Sequence, residues 1–490
     1  MEILVNLIAI AVVVLLFNFM IFVHELGHFL AAKWRGLQVD KFYIWFGKPI
    51  WKKTIKGVEY GIGSIPAGGF VALPQMAPME AIEGGDAERR QELPPISPLD
   101  KIIVAFAGPL FSFSLALAAS VGVWMFGKPA DTLHSTVIGY VLEDSPADKS
   151  GVEIGDRVVS VDGKKIGSFM GNLNGLSENI MLSKNKSVDL VVQRDGQLLN
   201  LTSSFTVEDT PWFQRRAMRK IGVGYESPLV VESLLDRSSA QRGGLQVGDK
   251  VLSVNGVKAY GVPHVLDVLK ENIDQQSELL VQRGEEQMTL SIDTVVPVDK
   301  TSGKPEPDGY PLMGVRFENP FDLSLVNPNP AEQVKEGLLV MLSTIQAITA
   351  KDSNVGIQHL SGPIGIGNAM FGFIRTDEAF RRIMWFMVVL NINLAVMNLM
   401  PLPVLDGGHI VFAIGEWIRG RPVKLRILEF IQSGFVFVIF GVFLYITSKD
   451  VAELFPGKAP EVVWGEDGLI WPELGKSPEV SSAIEAAEGE

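Results

Sequence analysis

The 490-residue chain contains no cysteine. Disulfides and thiolate-held metals are therefore excluded, and any bound metal must rely on His, Asp or Glu. A cysteine-free chain fits either side of a bacterial inner membrane. Positive charge is not in excess either. Lys and Arg number 43 against 56 Asp and Glu, a net charge of -13. That balance argues against a nucleic-acid partner, which would need a basic face. Histidine is scarce, with six in all, so a close pair of them is informative.

Charge is also missing locally, over long stretches. Four apolar runs stand out at 3–32, 102–126, 383–400 and 430–447. The first would make a helix of about 45 Å, longer than the roughly 30 Å of bilayer hydrocarbon. It reads as a span rather than a cleaved signal peptide: it lacks a basic leader and continues through His24-Glu25-Leu26-Gly27-His28. The expectation is a polytopic α-helical membrane protein with four transmembrane helices. Basic residues crowd the loops after the first and third runs. By the positive-inside rule those loops are cytoplasmic, and both termini and the long 128–380 segment lie outside. Arg381 and Arg382 run mildly against that orientation.

His24-Glu25-Leu26-Gly27-His28 is an HExxH sequence. On a helix, residues four apart share a face, so both imidazoles can reach one zinc. Glu25 then stands beside a water whose proton it can take. The bland alternative is a helix end with two interfacial histidines. Against it stands the cost of placing two His and a Glu in an apolar helix. A catalytic zinc commonly takes three protein ligands. Asp406 is a carboxylate at the inner end of the third run, preceded by Pro401 and Pro403 and followed by Gly407 and Gly408. Those residues break a helix, which at membrane depth is tolerated beside a water-filled cavity. An ordinary interfacial turn with a capping Asp is the other reading. One crossing separates the first and third spans, so they run parallel, and HExxH and Asp406 reach the same membrane face.

HExxH in a first span, Gly108-Pro109 in the second and Asn398-Leu399-Met400-Pro401-Leu402-Pro403-Val404-Leu405-Asp406-Gly407-Gly408 in the third resemble the site-2 protease family. Within it, the layout is similar to the bacterial regulator-of-sigma-E type with tandem PDZ domains (peptidase family M50). The resemblance implies Zn2+ held by His24, His28 and Asp406, Glu25 as catalytic base, and Asn398 with Asn393 positioning the substrate backbone. It implies a lipid-embedded substrate, a transmembrane protein such as an anti-sigma factor already cut on its outer side, or signal-peptide remnants. The chain departs from the family at Ser112, where an Asn is usual.

Ile65-Pro66-Ala67-Gly68-Gly69-Phe70-Val71 reads as a β-hairpin, because glycine pairs in short strands suggest close backbone approach. The resemblance implies a membrane-associated hairpin whose Gly68, Gly69, Phe70 and Val71 pair with an unwound substrate strand. An ordinary cytoplasmic hairpin is the alternative. Residues 76–98 read as a flexible connector.

An internal repeat aligns Ser145–Gly163 with Ser238–Gly256 without gaps. Each copy runs from a Gly-Asp turn into an alternating strand and an Asp-Gly or Asn-Gly turn. This resembles bacterial PDZ domains, with Ile138–Val141 as the expected groove strand of the first. The resemblance favours a size filter over specific tail binding. Val334, Leu338, Met341, Leu342, Ile345 and Ile348 share a helical face, either on a membrane surface or in a core.

The chain thus divides into a first span (1–33), a hairpin loop (34–100), a second span (101–127), two PDZ domains (128–220 and 221–300) and a linker with the amphipathic helix (301–380). A third span (381–408), a short connection (409–428), a fourth span (429–448) and an acidic tail (449–490) follow. The tail reads as disordered or as a loosely docked strand. The cell inner membrane is the expected location, with the active site near the cytoplasmic side. A non-catalytic PDZ scaffold and a metal-ion transporter are the rival readings.

Overall fold

A computed structural model describes residues 2–76, 93–94, 96–299, 304–305, 312–421, 425–454 and 469–474. Most of the expected 76–98 connector, and Trp464 of the tail, lie outside the described residues. The longer helices are α1 (Glu2–Trp34), α2 (Pro98–Phe126), α3 (Val262–Lys270), α4 (Pro330–Thr349), α5 (Pro363–Ile374), α6 (Ala379–Asn398), α7 (Asp406–Arg419) and α8 (Leu425–Leu454). Four of them, α1, α2, α6 and α8, are long and apolar enough to cross a membrane. These are the four expected spans.

α2 is the central helix, packed against α1, α6 and α7. Its start is set by Ser97, whose hydroxyl accepts from the Asp100 amide, with Pro98 in the first turn. Small residues let its neighbours approach closely. A Cβ on Gly27 of α1 would lie 2.4 Å from the Ala107 carbonyl oxygen of α2. A Cβ on Gly122 would meet the Met384 sulfur of α6 at 2.3 Å. The amphipathic stripe of α4 packs its Val334 and Leu338 against the α2–α6 pair. That half of the stripe is a core face, while Leu342 further along is exposed.

Between α1 and α2 lies a four-stranded sheet in the order β2-β3-β1-β4, made of β1 (Lys41–Phe46), β2 (Trp51–Ile55), β3 (Val58–Ile62) and β4 (Ile65–Ala72). This corrects the expected hairpin at 65–71. Gly68 and Gly69 do not turn the chain; both lie within the single strand β4, antiparallel to β1. The hairpin is β2–β3, turned at Lys56 and Gly57, which both have positive φ. Gly68 (φ +77°) is needed because the Phe46 ring covers it, leaving no room for a Cβ. β4 is an edge strand, and it packs along α1.

The 128–320 segment forms two β units of one design. In the first, Arg157–Val161 pairs with Val188–Arg194, which pairs with Gln197–Ser203. In the second, Lys250–Val254 pairs with Gln275–Arg283, which pairs with Glu286–Thr294. Each unit buries its own apolar core. The ion pairs repeat too. Buried Asp156 binds Arg194 at 2.7 Å and buried Asp249 binds Arg283 at 2.7 Å. Ile138–Val141 is not a free edge, contrary to expectation: Val223–Tyr225 pairs along it as the outer strand. The sequence hid this because Val223–Tyr225 lies more than 80 residues downstream, outside the aligned repeat.

Candidate metal centre

Three elements bring their ends together near the C-terminal end of α1. His24 and His28 lie on one face of α1, four residues apart and both buried. Asn398 is the last residue of α6. The chain then breaks at Pro401 and Pro403 and restarts as α7, whose first residue is buried Asp406. The third span therefore ends at Asn398, and Asp406 belongs to a separate helix, where a carboxylate in the first turn suits the helix dipole. Gly407 and Gly408 make that restart possible. A Cβ on either would lie 2.3 Å from the Leu399 oxygen or 2.1 Å from the Leu402 oxygen.

The donor atoms converge. His24 Nε2 and His28 Nε2 are 3.2 Å apart. Asp406 Oδ2 lies 3.3 Å from His24 Nε2, and Oδ1 lies 3.4 Å from His28 Nε2. Nitrogen and oxygen ligands at about 2.0–2.2 Å in a tetrahedron stand roughly 3.3–3.5 Å from one another. The three separations fit that edge. The tautomers fit as well. His28 Nδ1 donates to the Val104 carbonyl at 2.8 Å, and His24 Nδ1 is bonded to the Ser112 hydroxyl at 3.0 Å. Each imidazole is thus anchored through Nδ1 and turns the Nε2 lone pair inward, as a metal ligand requires. Asp406 Oδ2 is buried without a hydrogen-bond partner. A Cβ on Gly108 of α2 would fall 2.2 Å from His28 Nε2 and 2.9 Å from His24 Nε2. The glycine leaves open the space in which the two nitrogens meet.

Glu25 follows His24 on α1 and faces the sheet. A Cβ on Gly69 of β4 would touch Glu25 Cγ at 3.4 Å. Asn398 Nδ2 lies 3.2 Å from His24 Nε2. Asn393 is not brought to the same place: five residues earlier on a helix, it is turned about 140° from Asn398. His409 is buried one turn after Asp406, beside the centre.

Val104, Gly108 and Ser112 escaped the sequence reading as parts of the centre. Their signal is spacing. Four apart on α2, they run antiparallel to His28 and His24, so Val104 meets His28, Ser112 meets His24 and Gly108 fits between. Ser112, the departure from the family pattern, is fully buried and supports a ligand-bearing imidazole.

The family model of peptidase family M50 matches residues 12–442. A Vibrio cholerae protein assigned as a zinc metalloprotease is 30% identical over 427 residues, covering 83% of this chain and 90% of its own. The regulator of sigma E protease of Haemophilus influenzae is 28% identical over 83% of this chain and 90% of its own. The regulator of sigma-E protease RseP of Escherichia coli is 28% identical over 84% of this chain and 91% of its own. With a match across most of its length, the chain belongs to peptidase family M50 and is a zinc metalloprotease of the site-2 type.

Proposed function

We propose that the chain cuts peptide bonds inside the membrane, using zinc held by His24, His28 and Asp406. The observation that carries this reading is the meeting of three buried donor groups at tetrahedral spacing around the gap at Gly108. Zinc bound there would supply Lewis-acid polarisation of the scissile carbonyl and acidify an attacking water. Glu25 takes the proton of that water and returns it to the leaving nitrogen as the C–N bond breaks. His24 and His28 are held rigid by Ser112 and Val104, so little reorganisation is needed.

A helical substrate hides its carbonyls in intrachain bonds and must unwind before it can be cut. The edge strand β4, through Gly68, Gly69, Phe70 and Val71, offers an unwound segment a sheet to join. Gly69 packs on Glu25, so a strand added there runs past the base. Asn398 holds the substrate backbone. The two β units act as PDZ domains that limit access. The substrates are then single-span proteins whose outer domain is already removed, such as an anti-sigma factor, or signal-peptide remnants. The protein resides in the inner membrane, with the β units and both termini periplasmic and the centre near the cytoplasmic side. The basic loops support that orientation.

The test is cleavage of a tagged single-span reporter lacking its outer domain, co-expressed in bacterial membranes. Wild type should yield a shorter fragment, and Glu25→Gln and Asp406→Asn at matched expression should not. Equal cleavage by all three would remove the chemistry assigned to these residues.

A further inference from the structure

The acidic tail lies beyond the stretch that the family matches, yet residues 469–474 return to the second β unit. Leu469–Ile470 pairs antiparallel with Val298–Asp299. Trp471 is only 6% exposed, whereas Trp212 is 90% exposed. Its ring forms one wall of a cavity of about 120 Å³ between α3 and the outer strand Val315–Phe317, which Val262, Val265, Leu266, Met313, Val315 and Phe317 also line. Its Nε1 donates to the Leu312 carbonyl at 2.5 Å. Arg242 donates to the carbonyls of Trp471 and Pro472, both at 3.3 Å. These are the contacts of a bound peptide: an aromatic anchor against an apolar wall, with main-chain pairing before it and a guanidinium on the carbonyls at and after it.

The first unit shows that this cavity is a groove of the fold and not a gap that Trp471 fills to complete a core. Its loop Ile221-Gly222-Val223 matches Met313-Gly314-Val315. The Ala147 amide bonds the Ile221 oxygen as the Ala240 amide bonds the Met313 oxygen. The Leu142 amide bonds the Gly222 oxygen as the Leu235 amide bonds the Gly314 oxygen. Both glycines have positive φ, and a Cβ on either would strike Ser145 or Ser238 within 2.4 Å. Yet the first unit closes its core with no tail tryptophan. At Gly314 a Cβ would also crowd Trp471 Cζ2 at 2.9 Å.

We propose that the second β unit is a binding groove for an extended peptide with an aromatic anchor, and that the chain's own 469–473 segment is its resident, exchangeable ligand. The inference goes beyond the proteolytic reading and does not depend on it. Any other peptide of this chemistry must displace the tail. Tethering gives the tail an effective concentration on the order of millimolar, so a competitor must reach that range.

Because the chain has no cysteine, disulfide trapping in the full-length protein tests this. Val298→Cys with Ile470→Cys places thiols at opposed ladder positions, about 4.5–5.5 Å apart at Cα and within disulfide reach. Ser253→Cys with Lys258→Cys, opposed within the second unit, reports that the unit stays folded. Under mild oxidation in native membranes both pairs should close. Adding Trp471→Ala should slow the tail pair at least tenfold and leave the control pair unchanged, and Arg242→Gln should slow it less. A synthetic peptide of residues 467–475 at millimolar concentration should slow the tail pair severalfold, and the same peptide with Ala for Trp should not. The proposal is overturned if the tail pair never closes while the control does, if Trp471→Ala leaves its rate unchanged, or if the free peptide has no effect.

Discussion

At the scale of single residues, the centre depends as much on a missing side chain as on those present. Gly108 sits where the two imidazole nitrogens meet, and a methyl there would lie 2.2 Å from His28 Nε2. Glycine inside a helix ordinarily costs about 0.5–1 kcal/mol relative to alanine. Gly108→Ala gains that increment but overpacks two imidazoles held by Val104 and Ser112, at a cost of about 1–3 kcal/mol, so the melting point should fall modestly while zinc falls below about a tenth of the wild-type content. Zinc per chain by atomic emission, beside a melting curve, checks this. Full zinc in the variant would mean the metal sits elsewhere. The ligand-type residues were legible because HExxH and Asp406 are costly in an apolar setting. Gly108, Ser112 and the Val104 carbonyl were not, because a glycine, a serine and a backbone oxygen carry no such cost. Only the packing of α2 on α1 gives them a role.

At the scale of elements, one carboxylate joins parts far apart in sequence. Asp450, near the end of α8, has a fully buried side chain. It accepts from the Gly365 amide at 2.8 Å and the Gly362 amide at 3.3 Å, so it caps the N-terminus of α5. Arg215, in the loop that leads to the Val223–Tyr225 strand of the first β unit, binds it at 2.5 Å. Removing one partner of a buried pair costs about 3–5 kcal/mol. Asp450→Ala should lower the unfolding midpoint clearly and expose the Arg215 segment to trypsin, with Asp450→Asn milder because it keeps an acceptor. An unchanged midpoint would show that the clamp bears little load. The second β unit has its own acid sensitivity. Hydrogen bonds from Arg283 hold the Asp249 carboxyl below its usual range. A depressed folded pKa gives stability that is present above the unfolded value of about 3.9 and lost as pH falls through the folded one. Melting curves from pH 7 to pH 3 should show a steeper acid loss for wild type than for Asp249→Asn. Strand periodicity made the repeat legible, but β1 pairs with β3 in parallel and with β4 antiparallel. That order rests on contacts with α1, which local pattern does not encode.

At the scale of the whole molecule, the four apolar helices and the two-unit insertion were legible, since hydrophobic length and repetition are global signals. The docked strand of the tail was only one of two readings, and its anchor was not legible, because two tryptophans in an acidic stretch carry no periodicity. The proposed orientation rests on charge counts, and Arg381 and Arg382 at the N-terminal end of α6 count against it. The fold offers a reason to discount them. Arg382 is paired to Asp131 through both guanidinium nitrogens, at 2.6 and 2.8 Å, and Arg381 donates to the Phe126 carbonyl at the end of α2. Arginines engaged in joining the first β unit to α6 weigh little as free topogenic charge. The proposed orientation then makes a sharp prediction, because each introduced cysteine is the only thiol. Trp212→Cys, at an exposed position in a loop of the first unit, should react with a membrane-impermeant maleimide in cells whose outer membrane is permeabilised. Lys53→Cys, on the exposed strand β2, should react only after the inner membrane is opened. The reverse pattern would place the β units in the cytoplasm, and an outer-domain filter would have nothing to act on. Labelling of both before lysis would put the sheet and the β units on one side, which four spans with this connectivity do not allow.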